Sequence, residues 1–145
     1  MDRALLVSTR RRRLLAAAAL LPVVRGVPAE TASAYGLALR FVDDRGQPRE
    51  LAEWRGRPVV MTMAYGACRS VCTTTLRTLD ALQVAADRKA VALDFVIASI
   101  DPAEDTPQAW ADYRRARGLT RPNWTFLSGT PAATRVLAHF LGIRV

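Results

Sequence analysis

Three apolar runs in this chain are each followed by a stretch with helical spacing, and that order constrains the fold more than any other feature. Val59 to Tyr65 is a continuous apolar run, punctuated just before by Gly56 and Pro58. A run of that length, opening on β-branched residues, reads as a buried strand. From about Ser70 to Ala86, the residues Leu76, Leu79, Gln83 and Ala86 share one helical face, with Leu82 beside them. Ala92 to Ile100 is a second buried strand. Pro107, preceded by Asp105 or Thr106 as N-cap, opens a helix that carries Trp110 and Tyr113 and ends at Gly118. Asn123 to Gly129 forms a short third strand, and Thr130-Pro131 opens a last helix through Val136, Leu137 and Phe140, closed by Gly142. Alternation of this kind predicts an α/β domain with a parallel sheet covered on both faces by helices. Ahead of it, Leu39 and Phe41 lead into Asp44-Arg45-Gly46-Gln47, a β-hairpin with glycine at the tight position.

The first 34 residues read differently. Arg10 to Arg13 form a basic front, an apolar stretch runs from Leu14 to Val24, and Ala32-Ser33-Ala34 makes an A-x-A cleavage signal. That is the layout of a secretory signal peptide. The apolar stretch falls short of the about 20 residues that span a bilayer. Arginines set next to two leucines fit a twin-arginine signal; an ordinary Sec signal and a mitochondrial presequence are the alternatives. The chain thus divides into a leader, residues 1–34, and one mature domain, residues 35–145, expected to lie in the periplasm or elsewhere outside the cytoplasm.

Charge narrows the partners. Of the formal net charge of +8, half belongs to the leader, whose six arginines face Asp2 and Glu30. The basic residues of the mature part are scattered, without aromatic partners at regular spacing, so no nucleic-acid surface is read here.

The chain has two cysteines, Cys68 and Cys72. An oxidising compartment favours disulfides. A bridge across three residues, however, removes little unfolded-state entropy, so the spacing suits chemistry better than stapling. Cys68 follows the carboxyl end of the first central strand, where open α/β sheets bind ligands. Cys72 falls in the first turn of the next helix, whose free N–H groups and partial positive charge stabilise a thiolate. Arg69 adds to this. Residues i and i+4 share a helix face, so the two sulfurs can meet each other or one soft metal ion. Two ligands are too few for a structural zinc site. The residues alone leave open a disulfide, a redox pair and a soft-metal site.

Four segments together resemble the Sco/SenC family of thioredoxin-like copper proteins: AYGACRSVCTTTL around the cysteines, FVIASIDPAEDTPQAW at the second strand and its turn, NWTFLSGT at the third strand, and LAHFLGIRV at the end. They occur in the family's order from about Phe41 to Val145. The resemblance implies a thioredoxin-like three-layer α/β fold: an N-terminal β-hairpin plus a βαβαβα core. It also implies copper as the bound metal, held by Cys68 and Cys72, in a metallochaperone that assists assembly of the CuA centre of cytochrome c oxidase. The partners so implied are the CuA-bearing oxidase subunit or another copper-site apoprotein, with a thioredoxin-like reductant, and proximity to the membrane comes through the partner. Thiol–disulfide exchange on such an apoprotein, or a remnant with a stable disulfide, are the other readings.

There are two departures from the family pattern. Thr73 stands where the family usually has proline. The family's third copper ligand, a histidine in a later hairpin, has no counterpart in the matched segments, so the final β-hairpin and helix of the fold are expected to be missing, either by truncation or in a short protein that works with a partner. His139 lies in the last helix beside Phe140 and is read as a solvent-exposed residue rather than a ligand. Met61 and Met63 are read as core residues, and Trp110, Tyr113 and Trp124 as core or rim aromatics. Asp101, Glu104 and Asp105 read as a turn and a helix cap. Of these, Asp101, at the carboxyl end of the second central strand, is the candidate for a supporting role beside the cysteines.

Overall fold

The computed structural model describes residues 33–67 and 71–144, the side chains of 71–73 excepted. The leader lies outside these residues apart from Ser33 and Ala34, and so do Cys68, Arg69 and Ser70.

The hairpin forms as the turn residues dictate. Strands β1 (Arg40–Asp43) and β2 (Pro48–Glu50) pair antiparallel. Gly46 takes φ 78°, a left-handed conformation that glycine adopts without steric cost. The Asp43 side chain braces the turn by accepting N–H groups of Arg45 and Gln47, each at 2.9 Å. After β2 a single 3-10 turn, Leu51–Trp54, buries Leu51 and Trp54 and leads the chain to β3 (Val59–Ala64).

From β3 onward strands and helices alternate: α1 (Val71–Arg88), β4 (Asp94–Ser99), α2 (Pro107–Ala116), β5 (Trp124–Gly129) and α3 (Pro131–Phe140). The sheet order is β2-β1-β5-β4-β3. Strands β3, β4 and β5 are parallel, as the alternation predicts, but β1 runs antiparallel to β5. The whole sheet is therefore mixed. The hairpin supplies two more strands at the β5 side, and no crossover helix is needed to place them.

Alternate residues of the strands feed two cores. On one face Phe95, Ile97, Trp124 and Phe126 pack with Leu76 and Leu79 of α1 and with Trp110 and Tyr113 of α2. On the other, Val96, Ala98 and Leu127 pack with Met63, Trp54, Phe41 and the α3 residues Ala133, Leu137 and Ala138. This is a three-layer α/β arrangement. Met63 is buried and Met61 packs against the same core, as expected.

Several details depart from the sequence reading. The strand at Val59–Ala64 was expected to be buried, yet its first four residues are only half-buried, because β3 is an edge among the described strands. Asp94 donates to the Pro58 carbonyl and Ile100 to that of Ala64, so the even-numbered residues of β3 face β4. Val59, Met61 and Met63 turn their backbone groups outward. Leu82 and Val136 are exposed rather than core: each lies on the outer side of its helix. Thr106, not Asp105, caps α2, accepting the Ala109 N–H at 3.2 Å. Thr130 caps α3 in the same way.

The three α-helices among the described residues end in one motif. Beyond α2, Gly118 donates to Arg115 and Leu119 to Arg114; beyond α3, Gly142 donates to His139 and Ile143 to Ala138. Beyond α1 the same pair of bonds is made by Ala90 and Val91. This is the Schellman arrangement, which needs a left-handed residue just past the helix. Gly118 and Gly142 supply it at φ 65° and 70°, whereas Ala90 adopts φ 52° despite its Cβ. Among the described residues no helix is long and apolar enough to cross a membrane.

Candidate metal centre

The carboxyl ends of β3, β4 and β5 lie side by side because the three strands are parallel neighbours. A small residue stands at or near each end, Gly66 just beyond β3, Ser99 closing β4 and Ser128 next to last in β5, and one residue, Asp105, joins all three. Asp105, 4% exposed, accepts the Gly66 N–H on Oδ1 at 2.8 Å and the Ser99 hydroxyl on Oδ2 at 2.7 Å. Its backbone carbonyl accepts the hydroxyl of Ser128. Thr134 of α3 reaches the Ser99 carbonyl at 3.5 Å.

Burial pushes the Asp105 carboxyl above the usual carboxylate value, and the Asp101 charge nearby adds to this; hydrogen bonds from Ser99 and Gly66 oppose it without cancelling it. Beneath Gly66 stand two rings. A Cβ placed on Gly66 would lie 3.7 Å from the Tyr113 ring and 3.8 Å from that of Trp110. The two rings meet edge to face, with centroids 5.3 Å apart, so the floor of this region is apolar. Trp110 is 1% exposed and its indole N–H has no hydrogen-bond partner among the described residues.

Helix α1 begins at Val71, with Cys72 as its second residue. Its first turn carries no acidic residue, so nothing there offsets the partial positive charge of the helix N-terminus. Cys68 lies outside the described residues, as does the Cys72 side chain. In sequence the pair falls between Gly66, just beyond β3, and the first turn of α1.

Asp101 is exposed, and its backbone carbonyl accepts the N–H groups of Glu104 and Asp105. Glu104 is exposed. His139 is exposed on α3, in an open groove of about 500 Å³ with Arg135, Ile143 and Arg144. Among the described residues no three or more His, Cys, Asp or Glu side chains gather where a metal ion could sit. Sequence reasoning missed Asp105 by treating it as a cap. The signal was available: in Asp105-Thr106-Pro107 the threonine alone suffices as cap, which frees the aspartate, and a glycine and a serine end the two strands it would meet.

The SCO1/SenC family model matches residues 27–145. A protein of Stutzerimonas stutzeri whose name proposes copper binding is 32% identical over 126 residues; the match covers 86% of this chain and 55% of that protein. The chain thus spans about half the length of this relative. Copper-bound ScoI of Bradyrhizobium japonicum superposes with TM-score 0.60 at 25% identity, over 70% of this chain and 62% of that one. Yeast Sco1 has the same fold, with TM-score 0.62 at 19% identity over 70% of this chain and 60% of its own. By fold and by sequence, the chain belongs to the SCO1/SenC family.

Proposed function

We propose that this chain is an extracytoplasmic copper chaperone that carries Cu(I) between Cys68 and Cys72. The carrying observation is where the cysteines fall along the chain: Cys68 stands in sequence between the end of β3 at Ala64 and the start of α1 at Val71, and Cys72 is the second residue of α1. Family membership and the copper bound by ScoI of Bradyrhizobium japonicum support the reading. The donor chemistry fits, because soft thiolates select Cu(I). Each thiol gives up its proton as the metal binds, and the helix N-terminus lowers the cost of forming the thiolate at Cys72. Delivery is then ligand exchange onto soft donors of a recipient. The recipient proposed is the apoprotein of a copper site such as CuA of cytochrome c oxidase, with a dithiol reductant keeping Cys68 and Cys72 reduced.

The same position supports a second reading, thiol–disulfide exchange. A thiolate of the pair attacks a recipient disulfide, the mixed disulfide is resolved by the other cysteine, and the recipient leaves reduced while Cys68 and Cys72 become a disulfide. An external dithiol returns the two electrons.

The test is an anaerobic titration of the reduced full chain with Cu(I) against a chromophoric chelator. One copper per chain is expected, and Cys68→Ser or Cys72→Ser should abolish it, since a hydroxyl is hard and stays protonated. Undiminished Cu(I) binding in both variants would sink the copper reading.

A further inference from the structure

The backbone just before Cys68 is tethered by a residue from far along the chain. Gly66 stands two positions before Cys68, and its N–H is held by Asp105, 39 residues later. Three features mark this contact as built. Asp105 is almost wholly buried, although an aspartate in this turn would be free to face water as Asp101 and Glu104 do. Both carboxylate oxygens are occupied by donors from different strands, one from the end of β3 and one from the end of β4. And the fit at Gly66 is tight: a Cβ there would lie 3.0 Å from Asp105 Oδ1. Its N–H reaches the carboxylate at 2.8 Å because no side chain intervenes.

Asp105 is also where several elements meet. The residue after it caps α2, its own carbonyl receives Ser128 of β5, and Ser99, which binds its carboxylate, offers its carbonyl to Thr134 of α3. A carboxylate so fixed cannot drift, and the backbone that it holds cannot drift either. Gly66, two positions before Cys68, is thereby referenced to three strand ends and two helices.

We propose that Asp105 is the positioning residue of the copper site: through Gly66 it fixes the backbone leading into Cys68, and so sets how well Cys68 and Cys72 are arranged to hold Cu(I). This rests on the copper reading above. Groups that orient a metal's ligands typically change affinity by about 10–100-fold when removed, and here the action passes through the backbone, so the lower end applies.

The experiment uses the reduced full chain. Asp105→Ala should lower Cu(I) affinity by roughly tenfold, with Cys68 and Cys72 intact, and should speed exchange of the Gly66 amide hydrogen. Asp105→Asn should restore most of both, because its amide oxygen can still accept the Gly66 N–H. If Asp105→Ala does not fold, Ser99→Ala makes the same comparison on a milder change, expected to weaken Cu(I) binding by a few-fold by leaving Oδ2 unpaired. Parental affinity in a folded Asp105→Ala or Ser99→Ala chain overturns the proposal, and so does unchanged Gly66 exchange. Failure of the copper reading is distinguishable, because there Cys68→Ser and Cys72→Ser would leave Cu(I) binding intact. The tether is then judged by the alkylation rates of Cys68 and Cys72 in the metal-free protein, which Asp105→Ala should alter severalfold and which, if unchanged, overturn it.

Discussion

Removing Asp44 should destabilise this domain strongly, because it ties the hairpin to α2. Asp44 belongs to the turn between β1 and β2, yet its Oδ2 lies 2.6 Å from Arg114 of α2, 70 residues away. Both side chains are buried, 7% and 9% exposed. The guanidinium is otherwise held by the carbonyls of Leu119 and Arg121, at 2.9 and 3.0 Å, and lies over the Phe126 ring at 5.5 Å. Asp44 Oδ1 also accepts the Phe126 N–H at 3.2 Å. Asp44→Ala therefore strands a buried cation and orphans a backbone donor. Breaking a buried pair from one side costs about 3–5 kcal/mol; the two carbonyls and the ring still solvate Arg114, which favours about 3 kcal/mol. Domains of this size are stable by about 5–15 kcal/mol, so the loss is a large share. Urea unfolding followed by tryptophan fluorescence is the assay. With a slope of roughly 1.5 kcal/mol per molar, the midpoint should fall by about 2 M. Adding Arg114→Met removes the stranded charge while keeping an apolar stem, so the double variant should recover part of the loss. A midpoint shift under about 0.5 M, or a double variant that simply adds the two single losses, would refute the reasoning.

Four further outcomes are expected. Ala90→Gly should stabilise the domain by about 1 kcal/mol, because it relieves a left-handed alanine at the end of α1; a lower unfolding temperature would refute this. The Asp105 carboxyl is raised above its ordinary 3.8, so its contribution is full below that value and is lost as pH rises through the raised one; the urea midpoint of Asp105→Asn should gain on the parent from about pH 4 to 7, and a flat difference would count against it. At Asp43, burial pushes the carboxyl up, but donation from Gln47, Arg49 and Arg45 outweighs it and holds the group below 3.8, so its contribution is present above that value and is lost as pH falls through the lowered one; the parent's advantage over Asp43→Asn should shrink on acidification, and an advantage that stays the same or grows as pH falls would refute it. For the leader, replacing two of Arg10 to Arg13 by lysine should block export by the twin-arginine route, and export that continues through Sec would show the route to be wrong.

What the sequence made legible follows from where the information sits. The helical face of α1 could be read because Leu76, Leu79, Gln83 and Ala86 announce it by spacing, and all four are buried. The ends of α2 and α3 could be read because Thr-Pro at one end and Gly at the other act locally. Val59–Ala64 misled for a physical reason: apolar runs mark a strand, but whether it is central or at an edge depends on which strands flank it. The end of α1 was hidden for the opposite reason, since tertiary structure there forces an alanine into a conformation that composition assigns to glycine.

Asp44 and Asp105 were both read as turn residues, and both are turn residues whose side chains act at long range. A short polar side chain in a turn has two uses. It can cap its own backbone, or, where a neighbour does that, it can turn inward and satisfy another element. Asp43 braces the hairpin and frees Asp44 to reach Arg114; Thr106 caps α2 and frees Asp105 to reach Gly66. In each case the inward residue stands beside the capping one. Of two adjacent polar residues at a turn, only one is needed locally, and the burial of the other is costly unless it is fully paired. Such a residue is kept where the position of its partner matters. For Asp44 the partner anchors α2 to the hairpin. For Asp105 it is the backbone that leads into Cys68.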